Sequence, residues 1–117
     1  MRESDIEDYL VKRVKGMGGE IRKVKWIGRR GAPDRVVMLP PLRIQILHAD
    51  SPVTATEIRE AVRKVVTGPQ PTTIWVELKA PGEKPKPHQA REHERMRRMG
   101  QLVVVIDSIE GVEELLA

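Results

Sequence analysis

The chain has no cysteine and no phenylalanine, and its two Trp and one Tyr make aromatics only 3% of 117 residues. Without thiols there is no disulfide, no thiolate zinc site and no cysteine nucleophile, a composition that fits a reducing cytoplasm. Without phenylalanine the core has to be built mostly from Val, Ile, Leu and Met. Long apolar runs are missing too. None approaches the roughly 20 residues that a membrane span requires, and no membrane partner is expected. Residues Met1 to Asp5 carry acids and lack the apolar segment of a secretory signal, which also points to the cytoplasm.

What is present is one domain's worth of chain, residues 1–117, with 39% hydrophobic residues and a formal net charge of +4. The charge is unevenly spread. Residues 22–35 hold six bases against Asp34 alone, residues 84–98 hold six against Glu92 and Glu94, and residues 101–117 hold four acids and no base. Two basic blocks suit a polyanionic partner, through counterion release from phosphates. A solvated, salt-bridged surface gives the same pattern, so charge alone does not decide.

Periodicity supplies the elements. Ile6, Leu10, Val14 and Met17 form one apolar stripe of a helix that Gly16, Gly18 and Gly19 terminate. Glu20 to Ile27 reads as a half-exposed strand, Gly28 to Pro33 as a loop, and Arg35 to Leu39 as a short strand opened by Asp34 and stopped by Pro40-Pro41. Leu42 to Leu47 fits a further strand and Thr54 to Val66 a helix. Thr72 to Lys79 is β-branched and aromatic until it ends in charge, the pattern of a strand. Pro87 suits the first turn of a helix running to Met99, with Gly100 as its stop. Leu102 to Ile106 reads as a strand buried on both faces, and Ser108 caps a last helix. The order predicts an α/β fold: a mixed β-sheet flanked by helices.

The chemistry gathers at Pro33-Asp34 and at Glu77-Leu78-Lys79. Residues i and i+2 of a strand share a face, so Glu77 and Lys79 project together. If Asp34 opens the neighbouring strand, two carboxylates and one ammonium meet at one end of the sheet. Two carboxylates with a backbone carbonyl and waters are the hard oxygen set that Mg²⁺ requires. A lysine beside such an ion can stabilise charge on a phosphate or help to deprotonate a water. Taken singly, Glu-x-Lys is most often a solvated ion pair and Pro-Asp is most often turn chemistry. Their co-occurrence ahead of a basic helix raises the case.

The strings Gly31-Ala32-Pro33-Asp34-Arg35 and Val76-Glu77-Leu78-Lys79, followed by Gln89 in a helix ending near Gly100, resemble the VRR-NUC nucleases of the PD-(D/E)xK superfamily, in particular their short stand-alone phage and bacterial members. The resemblance spans nearly the whole chain except about residues 41–71. It implies a restriction-endonuclease-like fold and an active site for Mg²⁺ or Mn²⁺. Asp34 and Glu77 would bind the metal with the Leu78 carbonyl assisting, Lys79 would be the catalytic lysine, and Gln89 would support the site. It further implies a homodimer acting on double-stranded or branched DNA such as Holliday junctions, leaving 5′-phosphate products, in a bacterial or phage-infected cell. A catalytically inactive DNA-binding module on the same fold is the alternative.

Asp34 and Glu77 are 43 residues apart, where the compact pattern needs only a hairpin. An α-containing insertion over 41–71 accounts for the surplus at little loop-closure cost. An acid from the first helix completes sites of this kind. Glu7 is the first choice and Glu3, one turn earlier on the same face, the alternative. Against Glu7 stands Ser4-Asp5-Ile6-Glu7, which has the form of a capping box. Arg29, Arg30, Arg35, Lys84, Lys86, Arg91 and Arg95 are expected to contact DNA, with Arg35 on the surface facing away from Asp34. His88 and His93, five apart, fall on different helix faces, so a histidine metal site is not expected.

Overall fold

In the computed structural model, residues 1–40, 56 and 73–117 are described. The strand expected over 42–47 lies outside them, as does the helix over 54–66 apart from Thr56, which is helical and exposed. The described elements are α1 (Glu3–Gly16), β1 (Glu20–Lys23), β2 (Arg35–Met38), β3 (Thr73–Leu78), α2 (Pro87–Arg98), β4 (Val103–Ile106) and α3 (Ile109–Leu116). The strands form one mixed sheet in the order β1-β2-β3-β4. The first three run antiparallel, and β4 lies parallel to β3 because α2 makes the crossover between them.

Alternation sorts the side chains. Val37 of β2, Ile74, Val76 and Leu78 of β3 and Ile106 of β4 lie in one aliphatic cluster with Ile6, Leu10 and Val14 of α1 and Val112 and Leu116 of α3. Ile6, Leu10 and Val14 of the stripe read from the sequence are thus the buried stripe of α1, while Met17 follows the helix and is partly buried against the same cluster. The opposite face of β3 carries Trp75 and Glu77, and α2 lies over it.

Three local expectations change. Strand β1 ends at Lys23 with one more rung, Val24 N to the Asp34 carbonyl at 2.9 Å. Beyond it Trp26 leaves the ladder, donating to the Pro33 carbonyl at 2.7 Å and tilting against Trp75 with ring centroids 5.4 Å apart. Among the described residues β4 is an edge strand, so Val104 and Val105 are only half-buried in place of burial on both faces. Helix α1 begins one residue before Ser4, and the reciprocal cap is the Arg2 amide donating to Asp5 Oδ2 at 2.8 Å, which frees Glu7 from any capping duty. Among the described residues no helix is long and apolar enough to cross a membrane.

Candidate active site

The register between β2 and β3 pairs Arg35 with Val76, and one further step sets Asp34 opposite Glu77. Both acids then stand at the same end of the sheet, Asp34 at the mouth of the Gly28–Pro33 loop with its side chain 55% exposed, Glu77 inside at 7%. Lys79 follows on the same face and is equally buried. Burial holds the Glu77 carboxyl up at about 7, and the negative charges of Asp34 and, further down, Glu3 push the same way, while Lys79 and Arg35 oppose them. A carboxyl in this state is short of positive charge.

Lys79 is held by the helix. Its Nζ donates to Gln89 Oε1 at 2.9 Å and lies 3.7 Å from Glu83 Oε1. Gln89 is itself fixed, because the same oxygen accepts the Lys86 backbone N–H at 2.8 Å and so caps α2. The loop that brings in Asp34 rests on this helix start. Gly31 has φ of +87°, and a Cβ there would sit 2.7 Å from the His88 carbonyl oxygen.

The two α1 acids part company. Glu7 is bound by Arg35 at 2.9 Å, with Lys23 Nζ at 3.8 Å. Glu3 is the α1 acid whose charge acts on Glu77. Arg35 is not a surface residue. Nor does it turn away from Asp34: α1 roofs it, so it is 9% exposed, and its guanidinium bridges Glu7 to Asp34, whose Oδ2 lies 3.0 Å from its Nη1.

Among the described residues no group of three His, Asp or Glu side chains converges tightly enough to hold a metal ion unaided. The donors that do face one another are hard oxygens with excess negative charge, which fits a divalent cation completed by water and substrate oxygens.

No protein-family model matches the chain. The "Putative nuclease p44" of Acyrthosiphon pisum secondary endosymbiont phage 1 is 39% identical over 108 residues, which are 92% of this chain and 85% of that protein. A solved structure described as "VRR_NUC domain" matches with a TM-score of 0.66 at 31% identity, over 97% of this chain and 92% of that one. The chain belongs to the VRR-NUC family.

The basic residues of this VRR-NUC chain fall into separate groups. Arg29 donates twice to Glu92 at 2.7 Å and Arg95 once at 2.9 Å, so both already have a carboxylate partner, and they hold the Glu92 carboxyl down at about 2. Arg30, Lys86 and Arg91 crowd His88, whose pKa is lowered first by burial and then by those three charges and Lys79. They are exposed, as is Lys84 on the loop leading to α2. Arg30, Lys86, Arg91 and Lys79 thus form a positive field at the helix start, beside the two acids.

Sequence reasoning weighed His93 only as a metal ligand, and set it aside. It is 1% exposed, and its Nε2 lies 3.4 Å from Glu77 Oε1. Burial, then the charges of Arg97 and Lys79, lowers its pKa. The available signal was its position four residues after Gln89, one turn along the same helix face.

Proposed function

We propose that this chain is a divalent-metal-dependent DNA endonuclease that hydrolyses phosphodiester bonds, with branched DNA as its preferred substrate. The observation that carries the reading is the buried Glu77 carboxylate facing Asp34, with Lys79 held beside it by Gln89. A module that only bound DNA would gain nothing from acids that repel phosphate, nor from burying one of them with a lysine. A phage relative named as a nuclease supports the same reading.

Asp34, Glu77 and the Leu78 carbonyl would hold Mg²⁺ or Mn²⁺, with Glu3 as the α1 acid in place of Glu7. The ion would supply Lewis acidity and lower the pKa of a bound water. The chain's own groups do the rest. Lys79, kept at its post by Gln89, stands within reach of a phosphate oxygen at the acids and stabilises its negative charge as the bond breaks. Arg30, Lys84, Lys86 and Arg91 hold the phosphate backbone without reading sequence. Paired incisions on a branched substrate require two sites, and a two-fold homodimer supplies them.

Nicking of supercoiled and branched DNA in Mn²⁺, in Mg²⁺ and in EDTA tests the activity. Cleavage confined to the metal lanes is the expected result; binding without cleavage on every substrate would make the chain an inactive DNA-binding module. Light scattering that gives a monomer, free and DNA-bound, would remove the dimer.

A further inference from the structure

His93 Nε2 is a buried side-chain nitrogen with no hydrogen-bond partner. Such an atom is costly to keep, since its lost hydration is not replaced. It points at Glu77 Oε1 from 3.4 Å, just beyond hydrogen-bond geometry. The ring also meets the backbone of Gly31, which acts on it as an acceptor and raises its pKa. With Nε2 unbonded, that contact falls to Nδ1. Gly31 lies three residues before Asp34, in the loop pressed against His88 and Gln89.

We infer that His93 is a positioning residue: one imidazole from α2 fixes the orientation of the Glu77 carboxylate through Nε2 and anchors the loop bearing Asp34 through Nδ1. This rests on the nuclease reading, because it assigns His93 to the geometry of those acids. The ring sits where the two acid-bearing segments meet. Arg97, Lys79 and Glu92 are the charged groups acting on it. Partners behind the direct ligands commonly alter metal affinity by about 10- to 100-fold.

Two substitutions separate the halves of the claim. Asn places an amide near Nδ1 and keeps the Gly31 contact; Gln places one near Nε2 and keeps the Glu77 contact. The full chain and its His93→Asn and His93→Gln variants are titrated calorimetrically with Mn²⁺, melted, and assayed for nicking of supercoiled DNA. His93→Asn should melt like the parent chain, bind Mn²⁺ at least about 10-fold more weakly, and lose kcat with KM for DNA unchanged. His93→Gln should stay within about 3-fold of the parent in Mn²⁺ affinity, a small fraction of that loss. Full Mn²⁺ affinity and kcat in His93→Asn, or rescue by Asn and not by Gln, would reduce His93 to a structural residue and overturn the assignment.

If His93→Asn does not fold, the parent chain answers: the His93 Nε2 nitrogen resonance should move as Mg²⁺ is added, and an unmoved resonance overturns the proposal. A parent chain that neither binds Mn²⁺ nor nicks DNA refutes the nuclease reading and this inference with it. One that does both while indifferent to position 93 refutes only the inference.

Discussion

The sheet has two unlike faces. Under α1 and α3 it is closed by Ile6, Leu10, Val14, Val37, Ile74, Val76, Leu78, Ile106, Val112 and Leu116, all within the dry cluster. Under α2 the buried residues include Glu77, Lys79, Glu92 and His93. The first face gains about 2 kcal/mol for each large aliphatic side chain removed from water. The second takes ionisable groups out of water, and each needs a partner to be tolerated. Arg29 and Arg95 answer Glu92, and Gln89 answers Lys79. Glu77 is answered least, and its raised pKa records that. The apolar packing is concentrated on one face and the buried ionisable groups on the other, so substitutions on the two should fail in different ways.

The sharpest break is expected at Glu77 and Lys79. Glu77→Ala should abolish cleavage and weaken Mn²⁺ binding. Lys79→Ala should abolish cleavage while leaving Mn²⁺ binding intact or tighter, because a neighbouring positive charge opposes the ion. Both should still shift DNA in EDTA, since many bases share the phosphate contacts. Nicking assays, Mn²⁺ calorimetry and gel shifts read the three quantities separately, and near-normal cleavage by Lys79→Ala would remove the site assignment.

On the other face, Leu10→Ala should cost about 3 kcal/mol of folding free energy through the cavity it leaves. Urea unfolding measures that cost, and cleavage per folded molecule should stay near that of the parent chain. A large loss of cleavage without loss of stability would merge the two faces.

Gly31→Ala probes the joint between them. Its backbone is left-handed at φ +87°, and a methyl would meet the His88 carbonyl oxygen at 2.7 Å. Strain of about 1–3 kcal/mol is expected, together with displacement of the Asp34 loop. Cleavage should therefore fall more than the melting temperature does.

The mildest effect is on pH dependence. The Glu77 carboxyl titrates at about 7 in the folded chain, against 4.5 ordinarily. The folded state then holds the proton more tightly, so this group's stabilising contribution is fully present below pH 4.5 and is lost as pH rises through about 7. A divalent ion competes for the ionised form, so Mn²⁺ affinity should weaken below about pH 7. Melting curves between about pH 5 and pH 8 should show a Mn²⁺-induced gain that grows with pH and levels off above about 7. A gain independent of pH would detach Glu77 from the metal.

The same contrast explains what could be read in the amino-acid sequence. Helix α1 was legible because its buried stripe is apolar and repeats every three to four residues. Strand β3 was legible from its β-branched run, and its pairing with β2 from the placement of Asp34 and Glu77 near the strand ends. Helix α2 has no apolar stripe: its buried residues are Glu92 and His93. A hydrophobic pattern is silent about a helix that docks by ion pairs and hydrogen bonds, which is why Arg29 and Arg95 read as DNA-contacting bases and His93 only as a rejected metal ligand. Arg35 failed differently. Alternation set it away from Asp34, but its long guanidinium reaches back to that neighbour's carboxylate, and only the packing of α1 reveals that it is covered.

The joining of β2 to β3 has a consequence for how such a chain is made. Asp34 emerges in synthesis well before Glu77, and the two meet only when strands 43 residues apart in sequence find their register. Long-range strand pairing of this kind closes late, after local helices and hairpins. Until then the two acids of the proposed site stay apart. On the nuclease reading, hydrolytic competence would thereby be tied to completion of the tertiary structure.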